Sequence, residues 1–244
     1  MSYKTTYKSY GEKAILIEWK SVICENILTD IITFKDKISA KKKNELEDCI
    51  VGYNSLTVKY KSPLIDVFLE IEKLKAFYKN QVIKDQTINY TWSIPVCYDE
   101  QFGIDLQEIS EKLKLPQEEI VQRHFNTIYT VFFIGFLPGF LYLGGLHEKL
   151  AFDRKPIPRL LVEKGSVAIG GSQTGIYPSS NAGGWNIIGK TPVSFFDINQ
   201  TSPCFAKSGD KIKFYPVTLS EYYKMKKKVA NHTFIIKKTT RCLK

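Results

Sequence analysis

Apolar and polar residues follow two different periods in the first 90 residues, which predicts a mixture of strands and helices. The segment KAILIEW (13–19) is rich in β-branched and aromatic residues and follows a glycine, so it predicts a strand. The next segment has apolar residues at spacings of three and four, which indicates a helix with one apolar face: Ile27, Ile31, Phe34 and Ile38. DCIVGYNSLTVKY (48–60) then predicts a hairpin around a central turn cluster.

A second helix is predicted after the hairpin, followed by one more strand. Ser62 suits the N-cap position and Pro63 the first helical position. The residues expected on the apolar face are Leu64, Val67, Phe68, Ile71, Leu74 and Phe77. TINYTWSIPVCY (87–98) then completes the order β-α-β-β-α-β, which is that of a ferredoxin-like α+β unit.

The pattern changes in the second half of the chain. A helical stretch from 105 to 125, broken near Leu115-Pro116, predicts a connector. Of the 15 glycines, 11 lie between residues 135 and 192, among short apolar runs such as TVFFIGF, SVAIGG, WNIIG, VSFFDI and KIKFYPV. These runs favour an all-β sandwich or a closed barrel. We therefore expect two domains, 1–90 and 91–244, the second including the connector at 105–125.

Composition and charge narrow the classes of protein. The five cysteines are far apart and include no C-x-x-C pair, and no cluster of metal ligands is evident, so neither a disulfide framework nor a metal site is predicted. The N-terminus has no apolar core of a signal peptide, and the longest apolar stretch (130–146) is broken by Pro138-Gly139, so we expect a cytoplasmic protein without a membrane partner.

The formal net charge of +10 is concentrated at the C-terminal end. The segment from residue 201 onward, with KMKKK and KK, carries nearly all of it. A basic tail can bind nucleic acid or anionic lipid, but this one has no interleaved aromatic stacking motif. We interpret it as a solvated lysine-rich face and expect no nucleic-acid partner.

One motif matches the residue pattern of a phosphate-binding loop, but its flanking sequence does not. GWNIIGKT (184–191) fits the pattern of glycine, four residues, glycine, lysine and threonine. Such a loop needs a strand before it and a helix after it. The preceding SQTGIYPSSNAGG is rich in turn residues, and the following PVSFF favours a strand. These flanks argue against a phosphate loop in this chain.

Several ordered motifs carry a family resemblance. FIGFLPGFLYLGGL, PR, GSVAIGGSQTGIYP, GGW and IGKTP follow one another between residues 133 and 192. Together with YGEKAILIEW, EDCIVGYNSLTVKY and IPVCYDEQFGIDL, they resemble the family of 5-oxoprolinase B subunits, also called the allophanate hydrolase subunit 1 or kinase A inhibitor family. The resemblance covers nearly the whole chain. It implies a ferredoxin-like first domain and a cyclophilin-like β-barrel second domain.

The chain departs from the family pattern at three places, the first two of them in loops. It has VEKGSV (162–167) in place of V-P-A-G-S-V, NAGGW (181–185) in place of S-P-G-G-W, and IGKTP (188–192) in place of I-G-R-T-P. The last change replaces a guanidinium fork by the point charge of Lys190, which lacks the fork used for bidentate anion binding.

The resemblance implies ATP-dependent hydrolysis of 5-oxo-L-proline to L-glutamate, carried out with the C and A subunits of 5-oxoprolinase. Phosphorylation of the lactam oxygen would create a leaving group and an electrophilic carbon. ATP, with Mg²⁺, is expected to be bound by the complex. We expect this chain to be inactive alone and its glycine-rich loops to form one side of a cleft that another polypeptide completes.

A site of this kind needs cations, amide-binding groups and closely approaching backbone. Arg159 is suited to clamp a carboxylate, and Gln173 and Thr174 to recognise an amide. The other candidates are backbone approach at Gly170, Gly171 and Gly175, pocket walls at Tyr177 and Trp185, an anion contact at Lys190, and a general acid or base at His124.

Each candidate has a structural alternative. Arg159 can pair with a carboxylate at a domain seam, and Gln173 and Thr174 can satisfy loop backbone groups. Trp185 can belong to the core, and His124 can serve at a helix end. At the level of function, the alternatives are inhibition of a sporulation-type histidine kinase, through an exposed apolar groove, or a role in a urea/allophanate carboxyltransferase system.

Overall fold

The computed structural model describes residues 3–79 and 89–241. These fall into two compact units, with 3–79 in the first and 89–241 in the second. Both units contain helices and mainly antiparallel strands, so the fold is a mixed α and β fold, with one large sheet in the second unit. No helix among the described residues is long and apolar enough to cross a membrane.

The first unit is a four-stranded antiparallel sheet with two helices. Its elements are β1 (Thr6–Ser9), β2 (Ala14–Glu18), α1 (Glu25–Lys41), β3 (Leu46–Val51), β4 (Ser55–Tyr60) and α2 (Val67–Lys79), and the strands lie in the order β1-β2-β4-β3. The predicted strand, the first helix and the hairpin are confirmed. The apolar stripe of α1 is buried as predicted, because Ile31, Phe34 and Ile38 have no exposed surface.

The predicted start of the second helix is wrong, and its predicted apolar face is right only in part, since Leu74 is buried. The helix begins at Val67, and the Asp66 carboxylate accepts the Leu69 backbone N–H at 2.9 Å, so Asp66 rather than Ser62 satisfies the first turn. Phe68 is 84% exposed. The buried positions of the helix are Glu70, Leu74 and Tyr78. Glu70 can be buried because it pairs with Lys42 at 2.9 Å and accepts the Tyr60 hydroxyl at 2.8 Å.

The strand predicted at 87–98 belongs to the second unit, which corrects the β-α-β-β-α-β order. Its described part is β5 (Asn89–Val96), and its first two residues lie outside the described residues. β5 pairs with strands near the C-terminus, whereas the fourth strand of the first sheet is β1. The alternation in 87–98 reveals a strand but not its partner, because register and partner are set by packing rather than by local pattern.

The second unit is built on an eight-stranded sheet. Its strands are β5, β6 (Ile128–Ile134), β7 (Leu141–Gly144), β9 (Ser166–Gly170), β10 (Gln173–Ile176), β12 (Asn186–Lys190), β13 (Lys211–Pro216) and β14 (Lys237–Arg241), in the order β12-β9-β10-β7-β6-β13-β5-β14. β8 (Arg159–Val162) and β11 (Asn181–Gly183) form a separate pair. Cys97 and Lys190 exchange two backbone hydrogen bonds of 2.9 Å, but the described strands do not form a closed barrel.

Three helices complete the second unit. The predicted connector is α3 (Leu106–Leu113) and α4 (Gln117–Asn126), whose Leu106, Ile109 and Ile120 join the core of the large sheet. The lysine-rich C-terminal region from residue 201 onward contains α5 (Leu219–Ala230), which begins with a capping box between Thr218 and Glu221. VSFFDI was expected to be strand-like, but it has no strand. Its Phe195 is nevertheless in the core.

Candidate functional site

An aromatic recess of about 370 Å³ lies in the second unit, beside the loops predicted to carry the chemistry. Its aromatic walls are Phe136, Phe140, Tyr142, Tyr177 and Trp185, and its lining also includes Arg154, Lys155, Pro158 and residues 182–184. Phe140 is edge-on to Tyr177 at 5.3 Å and to Trp185 at 5.6 Å between ring centroids. The rings brace one another, so the recess has stiff apolar walls.

The loop between β6 and β7 supplies the rim of this recess. Phe136 has a φ of 68°, a left-handed conformation that is rare for a bulky side chain, and the residue is 63% exposed. Gly139, at φ 84°, allows the loop to turn close to Phe195, whose carbonyl oxygen would lie 2.9 Å from an added Cβ. The sequence FLPGF therefore fixes an exposed aromatic ring at the mouth of the recess.

A second, polar cavity of about 490 Å³ adjoins the recess and shares Arg154 and Lys155 with it. It is lined by Glu108 and Lys112 of α3, by residues 151–156, by Gly171 and Ser172, and by Asn186. Asn186 is 1% exposed, and its Nδ2 donates to the Asp153 carbonyl at 2.7 Å. Its Oδ1 is buried without a hydrogen-bond partner among the described residues.

The Asp105 carboxylate pairs with two cations of the site, Lys155 and Arg159. Its carboxylate is buried and accepts hydrogen bonds from Arg159 at 2.5 Å and from the Ile187 backbone N–H at 2.7 Å. Lys155 Nζ lies 3.0 Å from the same carboxylate and 2.7 Å from Glu108. A buried carboxylate held in this way fixes α3 and β12 against the basic segment 154–159.

The charged groups of the polar cavity neutralise one another in part. Hydrogen bonds from Lys112 and Lys155 lower the pKa of Glu108 from 4.5 to about 2. Burial by itself would lower the pKa of Lys155, but the hydrogen bonds to Glu108 and Asp105 raise it above its usual value. Both side chains are therefore charged near neutral pH. In the aromatic recess, burial raises the pKa of the Tyr142 and Tyr177 hydroxyls.

Two of the predicted site residues meet in the aromatic recess. Tyr177 and Trp185 form its walls, although both are at least 95% buried and also belong to a hydrophobic cluster. Trp185 is therefore a core residue that also lines the recess, and its contact with a ligand stays a prediction.

The three predicted glycines have different roles. A Cβ at Gly170 would lie 2.7 Å from the Trp185 ring, and one at Gly175 would lie 3.0 Å from both Trp185 and Phe140. These two glycines make room for the aromatic walls. Gly171 has a φ of 64° and open space beside it, and it lines the polar cavity. Of the three glycines, Gly171 alone fits the predicted close approach of backbone to a ligand.

His124 and Thr174 lie together in the core rather than in the recess. Both are fully buried. His124 Nδ1 lies 2.7 Å from the Tyr98 hydroxyl and Nε2 lies 2.9 Å from Thr174 Oγ1, which donates to the Ala168 carbonyl at 2.9 Å. Thr174 therefore accepts from Nε2–H, and Nδ1 accepts from Tyr98. Burial lowers the pKa of His124 from 6.5 to about 3, which favours the structural alternative for this histidine.

Arg159 and Gln173 are also engaged within the protein. Arg159 pairs with Asp105, inside the second unit rather than at a domain seam. Its second terminal nitrogen, Nη1, is buried and has no hydrogen-bond partner in the part of the chain that the structure describes. Gln173 begins β10, and its Oε1 is likewise buried and unpartnered among those residues.

Lys190 lies apart from the recess, at the end of β12. Its Nζ forms an ion pair with Glu163 and lies 5.4 Å from the Phe102 ring centroid. The segment that spells a phosphate loop is largely this strand, with no loop leading into a helix. These residues therefore do not fit the phosphates of a nucleotide, and no nucleotide step is assigned to them.

Several residues of the site were not predicted from the sequence. Asp105 lies in the segment IPVCYDEQFGIDL that carries part of the family resemblance, so a signal for it was present. Arg154 and Lys155 lie in DRKPIPR, where only Arg159 was expected to contribute. Asn186 is part of the false phosphate-loop match, so its residue pattern did not indicate a site, although it lines the polar cavity.

Comparisons with known proteins give the family of this chain. The family profile described as carboxyltransferase domain, subdomain C and D, matches residues 5–206. A protein named as the B subunit of 5-oxoprolinase from Haemophilus influenzae is 49% identical over 121 residues, 50% of this chain and 57% of the relative. Another of the same name from Bacillus subtilis is 43% identical over 133 residues, 54% of this chain and 55% of the relative. The matches thus span little more than half the length of these curated relatives.

Solved structures extend the comparison to nearly the whole chain. A conserved uncharacterized protein from Pyrococcus horikoshii is 34% identical, with a TM-score of 0.53, over 89% of this chain and 100% of that one. The urea amidolyase of K. lactis has a TM-score of 0.84 over 98% of this chain and 16% of that chain, and at 17% identity it shows the fold alone. The chain therefore belongs to the family of the carboxyltransferase domain, subdomain C and D, together with relatives named as B subunits of 5-oxoprolinase.

Proposed function

We propose that this chain is the B subunit of an ATP-dependent 5-oxoprolinase, which hydrolyses 5-oxo-L-proline to L-glutamate together with the C and A subunits. The observation that carries the proposal is the identity of 43–49% to two proteins named as B subunits of 5-oxoprolinase. The recess and the polar cavity support it, because together they offer apolar walls for a small ring and charged or amide groups for its polar edge.

The substrate is a five-membered lactam with one carboxylate, and its amide must be activated before water can attack it. ATP supplies this activation when it is bound by the complex, by making the lactam oxygen part of a leaving group. The residues of this chain would bind and orient the ring, and the aromatic walls would exclude water from one of its faces.

The composition of the site supports the need for a partner. The residues that line the recess and the polar cavity include no histidine and no cysteine, and His124 lies elsewhere, in the core. Glu108 and Asp153 are the carboxylates of this lining, and we propose that the nucleotide site comes from the C and A subunits, so that the chain is inactive alone. We also propose a cytoplasmic location for the complex, since ATP is its co-substrate.

The finer description of the fold is part of the same proposal. The first unit would be a variant of the ferredoxin-like fold in which β1 occupies the edge position next to β2. The second would be a cyclophilin-like barrel that is only partly closed, with the bridge between Cys97 and Lys190 at the opening.

The experiment is reconstitution with the other two proteins of the complex from the same organism. The complete mixture of this chain with the C and A subunits should form glutamate from 5-oxoproline and ATP, and omission of any one protein should abolish it. As a control, the B. subtilis relative replaces this chain and reports whether the partners are sound. If the mixture is active with the relative but inactive with this chain, the proposal fails.

The same mixtures test the alternative functions. Urea and bicarbonate replace 5-oxoproline in a parallel assay, with a biotin-carrying partner, and carboxylation of urea would support the carboxyltransferase alternative. Binding of this chain to a sensor histidine kinase, with loss of autophosphorylation, would support the kinase-inhibitor alternative.

A further inference from the structure

Arg154 is a cation at the junction of the two cavities, and no described carboxylate neutralises it. It lines both cavities, and its guanidinium carbon lies 5.3 Å from the centroid of the Trp185 ring. Its neighbours differ in this respect, because Lys155 and Arg159 both pair with Asp105. Among the described residues Arg154 takes part in no ion pair, and its side chain is exposed.

The backbone on both sides of Arg154 is held in place. Phe152 exchanges two backbone hydrogen bonds with Gly171, of 3.0 and 2.7 Å. The Asp153 carbonyl accepts from Asn186 Nδ2, and the Lys155 N–H donates to the Gly184 carbonyl at 2.7 Å. Arg154 therefore projects from a segment fixed to the ends of β9 and β12, so little backbone entropy is lost when it binds a ligand.

The chemistry of this position matches one part of the proposed substrate. A guanidinium presents a planar fork of N–H donors that binds a carboxylate with two parallel hydrogen bonds. Trp185 and the rings beside it line an apolar recess of about 370 Å³, a size that suits a small flat ring. A molecule with a ring and one carboxylate can satisfy both at once.

We propose that Arg154, rather than Arg159, binds the carboxylate of the lactam substrate, whose ring lies in the aromatic recess. The assignment rests on the proposed function and adds the residue that sets specificity for a carboxylate-bearing lactam. Arg159 instead has a structural role, because its charge is already paired with that of Asp105.

The test uses the reconstituted complex and two ligands that differ only in the carboxylate. For Arg154→Gln we expect the KM for 5-oxoproline to rise about 10- to 100-fold, as for loss of a charge-assisted hydrogen bond, with a smaller change in kcat. Arg154→Lys should recover part of the loss, since it keeps the charge but not the fork. Inhibition by 2-pyrrolidinone, the same ring without the carboxylate, should be unchanged in both variants.

The control is Lys149→Gln, which removes an exposed cation five residues away and should leave every constant unchanged. A KM within twofold of the wild-type value in Arg154→Gln would overturn the assignment while the proposed function stands. Equal weakening of 5-oxoproline and 2-pyrrolidinone would also overturn it, since that result indicates a deformed recess. If the wild-type complex does not act on 5-oxoproline at all, the proposed function fails and this assignment fails with it.

Discussion

Removal of the Asp105 carboxylate should destabilise the second unit more than removal of any exposed carboxylate. In Asp105→Ala, Arg159 and Lys155 lose their shared buried partner, and the Ile187 N–H loses its acceptor. Breaking a buried ion pair from one side costs about 3–5 kcal/mol. The two cationic side chains are 28% and 17% exposed, so water solvates them in part and we expect the lower end, about 3 kcal/mol.

Hydrogen–deuterium exchange measures this loss of stability for amides of the second unit alone. A loss of about 3 kcal/mol should speed exchange of the most protected β12 amides by roughly two orders of magnitude, since each 1.4 kcal/mol is tenfold. The matched control is Asp153→Ala, an exposed aspartate next to Arg154, which should change exchange by less than threefold. The double variant Asp105→Ala/Arg159→Met should recover part of the loss, because it removes one orphaned cation.

Two results would refute this reasoning. A loss below about 1 kcal/mol for Asp105→Ala would mean that the carboxylate does not hold the basic segment. A further loss in the double variant, in place of a recovery, would mean that Arg159 contributes through packing rather than through its pairing with Asp105.

Three further changes test the core and the walls of the recess. In the wild type, the stabilising contribution of His124 is fully present above pH 6.5, the usual pKa of histidine. It is lost at up to about 1.4 kcal/mol per pH unit as the pH falls towards 3, because the unfolded chain takes up the proton first. In His124→Gln, this pH dependence of the unfolding free energy should flatten. Thr174→Val should cost about 1–3 kcal/mol, since Nε2–H of His124 loses its buried acceptor, and should leave the KM for 5-oxoproline unchanged. Gly170→Ala should cost about 1–3 kcal/mol and raise that KM, because the added Cβ would lie 2.7 Å from the Trp185 ring.

Each of these changes has a matched control in the same unit. Urea unfolding of His232→Asn at several pH values should keep the wild-type slope, since His232 is exposed and asparagine tolerates its left-handed φ of 55°. Thr233→Val removes an exposed hydroxyl and should be nearly neutral. Gly135→Ala should also be nearly neutral, because its Cβ would meet Phe133 at an ordinary 3.5 Å. A pH slope that survives in His124→Gln would contradict the burial of that ring as the cause.

The sequence predicts the local elements well where one physical signal dominates. The apolar stripe of α1 is an example, because the spacing of Ile31, Phe34 and Ile38 leaves only one way to bury them together. The buried face of the second helix is predicted only in part, because Glu70 occupies a buried position through an ion pair with Lys42 that no local pattern encodes. Likewise, β5 is recognisable as a strand, but its partners lie more than 100 residues further along the chain.

The site shows the same division. The sequence predicts that the backbone at Gly170 approaches a ligand, but the space beside Gly170 is filled by the Trp185 ring. The sequence cannot distinguish Arg154 from Arg159, because the difference depends on which of them reaches Asp105, a residue 54 positions from Arg159. The choice between a free and a neutralised arginine is therefore made by tertiary packing.

The central claim, that the aromatic recess of this chain holds the substrate, can be tested by fluorine NMR of the complex with 5-fluorotryptophan in this chain. Trp185 lines the recess, whereas Trp19 lies in the first unit and Trp92 donates to Asp210 away from it, so the three resonances include two internal controls. Titration with 5-oxoproline should shift the Trp185 resonance saturably and leave the other two unchanged. A complex that turns over 5-oxoproline while the Trp185 resonance stays fixed would contradict the claim.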